Sequence, residues 1–344
     1  MLAVMDTLSK QGIIIVGNGL AGSLLAWSLL QQGKKVHVYA DNQACASRVA
    51  AGLINPVTGQ RFVLAEHTPA MLVFAKKFYQ NIEKKLGIQC FHEKPMFRLF
   101  SSQKEQENCK KRLKNKEYST FLGKLSPHQQ LNAEHGGITQ HHAAWLDTNT
   151  LLDALSQYLE KNNMITYRQY ETQSTQQTTI YCEGYRMIHN PLFSQLPLQP
   201  AHGEIITCNT NNNLPNAIIN KGKWLLPINK NTCRVGATFD TKITRPCLLE
   251  TSKQQLLAFA EDVFHEPYNF KVTQHQAGIR PTTLDKQPFI GFHPKYKNIA
   301  IFNGFGSRGS LLIPWYSQSF SQTLINNNPV PKEASIHRFK NLVW

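Results

Sequence analysis

Hydrophobic and polar positions along the chain fall into stretches of distinct period. Ile13-Ile14-Ile15-Val16 is an unbroken aliphatic run rich in β-branched residues, the pattern of a strand buried on both faces of a parallel sheet. It passes through Gly17-Asn18-Gly19-Leu20-Ala21-Gly22 into an apolar stretch, Ser23 to Leu30, which predicts a tight turn and a buried helix. A second strand follows at Lys35–Ala40 and ends on Asp41, which completes a βαβ unit. From Thr68 to Gly87, Met71, Leu72, Phe74, Phe78, Ile82 and Leu86 recur at the spacing of an amphipathic helix. The polar, lysine-rich region that follows, to about Ser126, reads as an insertion of helix and short strands. Asp147-Thr148-Asn149 caps a helix over about 150–161. Ile165–Tyr167 and Thr178–Tyr185 then read as strands that rejoin the first sheet.

The pattern changes at Gly203. Gly203–Cys208, Ala217–Asn220, Lys223–Ile228 and Thr232–Phe239 are short runs separated by Asn, Gly and Pro, the signature of an antiparallel sheet in a second domain. A helix is predicted from Glu250 to Phe264, then a return segment, Ala277–Gly291, and a strand, Asn298–Asn303. A second glycine turn, Gly304-Phe305-Gly306-Ser307-Arg308-Gly309, opens a helix from Ser310 to Ile325. No repeat of 20–50 residues interrupts this order.

Composition narrows the class. The 344 residues are 41% hydrophobic, as for a soluble globular protein of one large or two medium domains. Met1 to Gln11 lacks the charged start and apolar run of a secretory leader. Glycines, Asn18 and Ser23 break the apolar run from Ile13 to Leu30, so no integral membrane association is expected. Seven cysteines, an odd count without a C-x-x-C, argue against disulfides or zinc and for a cytoplasmic setting. His135-Gly136-Gly137 to His141-His142 has no partner acids or thiols, and no metal site is expected. The formal charge is +15, and residues 76–124 hold eleven Lys and two Arg against five Glu, a net of +8. This is read as a solvated basic face, with a polyanion such as nucleic acid as the alternative. No zinc finger, K-homology loop or ribonucleoprotein aromatic motif accompanies it.

The glycine turns carry the chemistry. In G-x-G-x-x-G, Gly17 permits the turn, Gly19 admits a pyrophosphate and Gly22 lets strand and helix pack closely. The N–H groups of the first helical turn, around Leu20 and Ala21, suit an anionic phosphate. Asp41 stands near the usual place of the acid for a ribose hydroxyl, one residue beyond the strand end at Ala40. In the small-residue loop Ala46–Pro56, Ser47, Ala51 and Gly52 allow backbone to lie against a flat ligand, and Arg48 offers a bidentate partner to a phosphate. Gly184 marks a further close backbone approach.

Together these pieces resemble the D-amino acid oxidase superfamily of FAD-dependent oxidoreductases, from about Gln11 to Ile325. The motifs that carry the likeness are the first glycine turn, the Ala-Ala-Gly loop ending at Pro56, and Tyr181-Cys182-Glu183-Gly184. Val235-Gly236-Ala237-Thr238, Gly278-Ile279-Arg280-Pro281, Asp285 with Pro288 and Gly291, and the turn Gly304–Gly309 complete it. The resemblance implies a Rossmann-like α/β domain that binds FAD, with an antiparallel sheet in a substrate domain covering the flavin. It places the FAD-binding domain at 11–80, 143–195 and 276–330, the substrate domain at 81–142 and 196–275, and a tail at 331–344. The Gly-Ser-Arg-Gly turn and the tail also look like the FAD-dependent half of the bacterial bifunctional enzyme that makes 5-methylaminomethyl-2-thiouridine in tRNA. The residues from Ile279 to Ile313 contain no Cys, so non-covalent FAD is expected.

The family's chemistry is hydride removal from a carbon bearing nitrogen to flavin N5, followed by hydrolysis of the imine. The substrate so implied is a small amine or amino acid. Arg280 matches the residue that grips a substrate carboxylate; its alternative role is to tie two loops through backbone carbonyls. Gly304, Gly306, Ser307, Gly309 and Ser310 are expected at the pyrimidine end of the flavin, where Arg308 either adds positive charge or faces solvent. Tyr185, Trp224 and Trp315 are candidates for the substrate wall. Two other functions stay open: modification of a carboxymethylaminomethyl wobble uridine in tRNA, and a flavin-binding scaffold or sensor without turnover.

Overall fold

The computed structural model describes residues 12–41, 45–126, 130–171, 177–342 and 344, so Met1 to Gln11, read above for a leader, lies outside the described residues. Its frame is two sheets. The first has six strands in the order Ile165–Tyr167, Val36–Ala40, Ile13–Val16, Thr179–Tyr181, Ile299–Asn303 and Phe289–Phe292. The first five run parallel and Phe289–Phe292 closes the edge antiparallel. Ile13–Val16 pairs with a strand along each edge, and its residues Ile13 and Ile15 are buried against the helix residues Leu24, Leu25 and Leu29, as an aliphatic run requires.

The helix Leu20–Gln31 packs against the last long helix, Gly309–Asn326, in a core with Leu24, Leu25, Leu29, Leu312 and Phe320. Ser28 and Ser317 hydroxyls meet at 3.0 Å across that contact, 289 residues apart in sequence. Thr68–Leu86 lies on the same last helix and ends at Gly87, whose φ of 67° supplies the left-handed cap. Thr148–Lys161 starts as its sequence predicts, with the Asp147 carboxylate accepting from the N–H groups of Asn149 and Thr150.

The second sheet has eight strands in the order Lys271–Thr283, Leu198–Asn209, Thr232–Gly236, Lys223–Pro227, Ile218–Lys221, Met96–Leu99, Gly137–Gln140 and Leu122–Ser126. One pairing departs from the antiparallel pattern: Ile218–Lys221 runs parallel to Met96–Leu99, which brings part of the lysine-rich insertion into this sheet. Glu250–Asp262 covers one face through Leu256 and Ala260. Two expected domain limits fall inside elements. Residue 276 lies within Lys271–Thr283, which pairs along its length with Leu198–Asn209, and residue 81 lies within Thr68–Leu86.

Candidate functional site

A cleft of about 230 Å³ runs between the two sheets. At one end the turn after Ile13–Val16 meets the C-terminal ends of the parallel strands, where open α/β sheets bind ligands. Gly17 has a φ of +106°, and a Cβ there would fall 2.5 Å from Cys182 O; one on Gly22 would fall 1.9 Å from Gly17 O. Strand, turn and helix are therefore closer than any side chain allows. Gly17, Gly19, Leu20 and Ala21 line the cleft, while Gly22 sits behind them as the packing contact. The Leu20 N–H donates to Ser47 Oγ at 3.0 Å, so Ser47 fastens the following loop to the helix start.

Ser47, Ala51 and Gly52 line the cleft as expected, but Arg48 does not. Its guanidinium turns outward onto the Asp153 carboxylate and the Asn149 carbonyl, on the helix Thr148–Lys161. Arg48 lies on a one-turn helix over Ala46–Val49, and the partner this structure gives the Arg expected to meet a phosphate is Asp153. Asp41 does reach the cleft, where its Oδ1 accepts from Arg186 Nη2 at 2.8 Å. Glu183 and Gly184 stand beside it. Burial pushes the Glu183 carboxyl above its ordinary range, against the opposing pull of the Asn190 amide, 2.7 Å away, and of Arg186. Gly184 offers its carbonyl to the Asn303 amide at 2.8 Å.

The second glycine turn joins the same cleft through Gly306, Ser307, Gly309 and Ser310. A Cβ on Gly309 would stand 3.8 Å from Leu20 Cδ2, so the helix starts that follow the two turns are in contact. Gly304 and Arg308 lie outside the lining. Gly304 packs against Thr283 and Phe289 with room for no Cβ. Burial lowers the Arg308 pKa from the ordinary arginine value, with Tyr316 opposing; its Nε is buried without a hydrogen-bond partner. Arg308 itself is half-buried on the Gly306–Arg308 turn. Trp315 packs edge-on against Phe74 in the helical core, whereas Tyr185 and Trp224 line the cleft.

Arg280 stands at the far end, on Lys271–Thr283. Its guanidinium lies over Gly203 of the neighbouring strand: a Cβ there would meet Nη1, Cζ and Nη2 at 2.1–2.4 Å. Nη1 donates to the carbonyls of His202 and Thr238, each at 3.2 Å. This is the loop-tying role left open by the sequence, yet it uses one nitrogen of a five-donor fork. No acid stands within ion-pair distance of Arg280 among the described residues. Glu204, one residue beyond Gly203, is fully buried, its carboxylate taken by the Leu249 N–H at 2.9 Å and His275 at 2.7 Å. Burial without a counter-charge lowers the Arg280 pKa from the ordinary arginine value.

Sequence reasoning missed Arg186, Asn303 and the floor residues Gly203 and Ile205. The signal for Glu183 was present: a charged residue at the end of an apolar parallel strand. Among the described residues no cluster of three His, Cys, Asp or Glu side chains can hold a metal ion, and no helix is long and apolar enough to cross a membrane.

The family described as DAO, FAD dependent oxidoreductase, matches residues 12–322. A glycine oxidase of Pseudomonas putida is 26% identical over 137 residues, 40% of this chain and 38% of that protein. The tRNA 5-methylaminomethyl-2-thiouridine biosynthesis bifunctional protein MnmC of Aliivibrio fischeri is 20% identical over 386 residues, covering 94% of this chain. The match takes in 57% of that protein, so the chain spans little more than half of its length. The fold is similar to glycine oxidase from Geobacillus kaustophilus, with a TM-score of 0.79 and 18% identity over 92% of this chain and 95% of that one. It is similar also to iminodiacetate oxidase of Chelativorans sp. BNC1, with a TM-score of 0.76 and 16% identity over 94% and 98% of the two chains.

Proposed function

Because the chain belongs to the DAO family of FAD-dependent oxidoreductases, we propose that this enzyme oxidises the C–N bond of a small amino acid whose carboxylate Arg280 holds. The observation that carries this reading is the half-buried guanidinium, without an acidic partner, in the same cleft as the dinucleotide turn. The cleft suits FAD: two glycine turns and a small-residue loop leave room for a long flat group, and helix starts point N–H groups toward it. Gly17, Gly19 and Ala21 hold the pyrophosphate, Asp41 the ribose, and Ala51, Gly52, Gly184 and the turn Gly306–Ser310 the remainder, non-covalently.

FAD, when bound, supplies the electron acceptor for hydride removal from the carbon next to nitrogen. The chain's own contribution is position and field. Arg280 fixes the acid end of the substrate, which sets the reacting carbon at one place in the cleft. The helix start at Gly309 and Ser310 directs positive potential to the end of the cleft where negative charge forms. The nitrogen lone pair forms the C=N bond as the hydride leaves, and water then adds to the imine carbon and the C–N bond breaks, releasing ammonia or an amine and leaving the carbonyl product. All seven cysteines are free thiols, which fits a reducing cytoplasm.

Replacement of Arg280 by Ala tests this reading. Purified variant should keep its FAD, while anaerobic bleaching by amino acids falls about a hundredfold or more. Loss of flavin in step with activity would show that Arg280 holds the cofactor or the fold instead. A second reading, action on an aminomethyl group of a tRNA wobble uridine, draws on the 94% coverage by MnmC and on the charge of +15. A mobility shift with tRNA at several salt concentrations decides it, since absence of binding at low salt removes tRNA as a partner.

A further inference from the structure

Beyond the carboxylate contact, the substrate-binding face carries a side chain that the fold gives no internal reason to place there. His202 and Asp240 exchange backbone hydrogen bonds, at 2.7 and 3.0 Å, and Thr238 N–H donates to Glu204 O at 3.2 Å. This pairing sets Phe239 opposite Gly203, the residue over which the Arg280 guanidinium lies. The centre of the Phe239 ring is 5.9 Å from Arg280 Cζ, so the ring stands beside the guanidinium, just outside the residues that line the cleft. It is nevertheless 65% exposed, the most exposed large hydrophobic side chain among the described residues. The neighbouring Thr238 holds Arg280 through its carbonyl, so ring and guanidinium are fixed to the same backbone segment.

An isolated exposed apolar side chain needs no explanation on a surface. One attached to the backbone that holds a half-buried cation without an acidic partner is different, because it stands next to whatever ligand pairs with that cation. A carboxylate on the free nitrogens of Arg280 has its oxygens about 2.8 Å from them. The atoms two or three bonds further on then come within van der Waals reach of Phe239. A substrate as short as glycine ends before the ring; one with a larger apolar substituent covers it. Covering an exposed aromatic ring is favourable through the area removed from water and, for a second ring, through offset or edge-to-face contact.

We propose that Phe239 is a specificity-determining residue, and that the preferred substrate is an amino acid with an aromatic substituent, whose ring rests on Phe239 while its carboxylate is held by Arg280. This rests on the amino-acid oxidase reading above and narrows it. The test uses the FAD-loaded enzyme and an achiral pair, N-benzylglycine and sarcosine, with anaerobic flavin reduction followed by stopped flow. The native enzyme is expected to prefer N-benzylglycine. Phe239→Ala should lower the second-order rate constant for N-benzylglycine about tenfold and leave that for sarcosine within twofold. Phe239→Tyr should restore most of the loss. Equal effects on both substrates, or none on either, overturn the proposal.

If neither compound bleaches the flavin, the oxidase reading is what fails. Dissociation constants for phenylacetate and acetate, read from the flavin spectrum, then still decide the role of Phe239. Phenylacetate should bind more tightly than acetate in the native protein, and Phe239→Ala should abolish most of that difference. An unchanged difference refutes the assignment.

Discussion

Gly203→Ala is the substitution that separates the fold from the substrate site. The added Cβ would stand 2.1 Å from Arg280 Nη1, 2.3 Å from Nη2 and 2.4 Å from Cζ. Ordinary contact begins near 3.4 Å, so the guanidinium must move by more than 1 Å. It is the end of a flexible side chain and can move, so the cost to stability should stay below about 1 kcal/mol. The cost to recognition is larger. One charge-assisted hydrogen bond to a carboxylate is worth about 2 kcal/mol, or ~30-fold, and a misplacement of 1 Å in a reacting pair reaches about a hundredfold. We therefore expect kcat/KM for an amino-acid substrate to fall by about 30- to 100-fold, with FAD content and melting temperature near the native values. The control is the double variant: in an Arg280→Ala background, Gly203→Ala should cost nothing further, because it acts through the guanidinium alone. Native affinity for carboxylates in the single variant, or additive losses in the double one, would refute the reasoning.

Gly22→Ala should behave in the opposite way. Its Cβ would lie 1.9 Å from a backbone carbonyl, which cannot swing aside, so purified protein should be short of flavin and have a lowered melting temperature. Glu183→Gln tests a pH dependence. Because burial raises the native carboxyl above its ordinary value of 4.5, the folded protein binds the proton more tightly than the unfolded chain does. Stability therefore declines as pH rises from 4.5 through the folded value. The Gln variant keeps an acceptor for Asn190 and should flatten that decline in melting curves of the apoprotein. A variant with the native slope would assign the dependence elsewhere.

Local pattern carried the nucleotide half well. Ile13–Val16 and the helix from Leu20 were legible because their burial leaves almost no polar position to obscure the pattern, while Val36–Ala40 alternates buried and half-buried residues and Ile165–Tyr167, 179–181 and 299–303 are short β-branched or aromatic runs. The site was less legible wherever a side chain's direction decides. Arg48 belongs to a four-residue helix, too short for any periodicity to fix a face, and its partner Asp153 lies 105 residues away. Arg308 and Gly304 share a glycine-rich turn with true lining residues, and composition does not say which of them face inward. Met96–Leu99 looked like part of an insertion, because its strand partners, 137–140 and 218–221, are remote in sequence. Arg280 was found through a motif, but its bed on Gly203 comes from cross-strand register, which a single sequence does not display.

The contact between the first and last long helices has a consequence for biosynthesis. The turn at Gly17 emerges from the ribosome almost 300 residues before the turn at Gly306 that shares its cleft. Until the helix Gly309–Asn326 exists, the apolar side of Leu20–Gln31 lacks its partner and the parallel sheet lacks Ile299–Asn303. Acquisition of the prosthetic group is thus a late step, and chains truncated before residue 309 should leave an unsaturated hydrophobic helix for chaperones to shield.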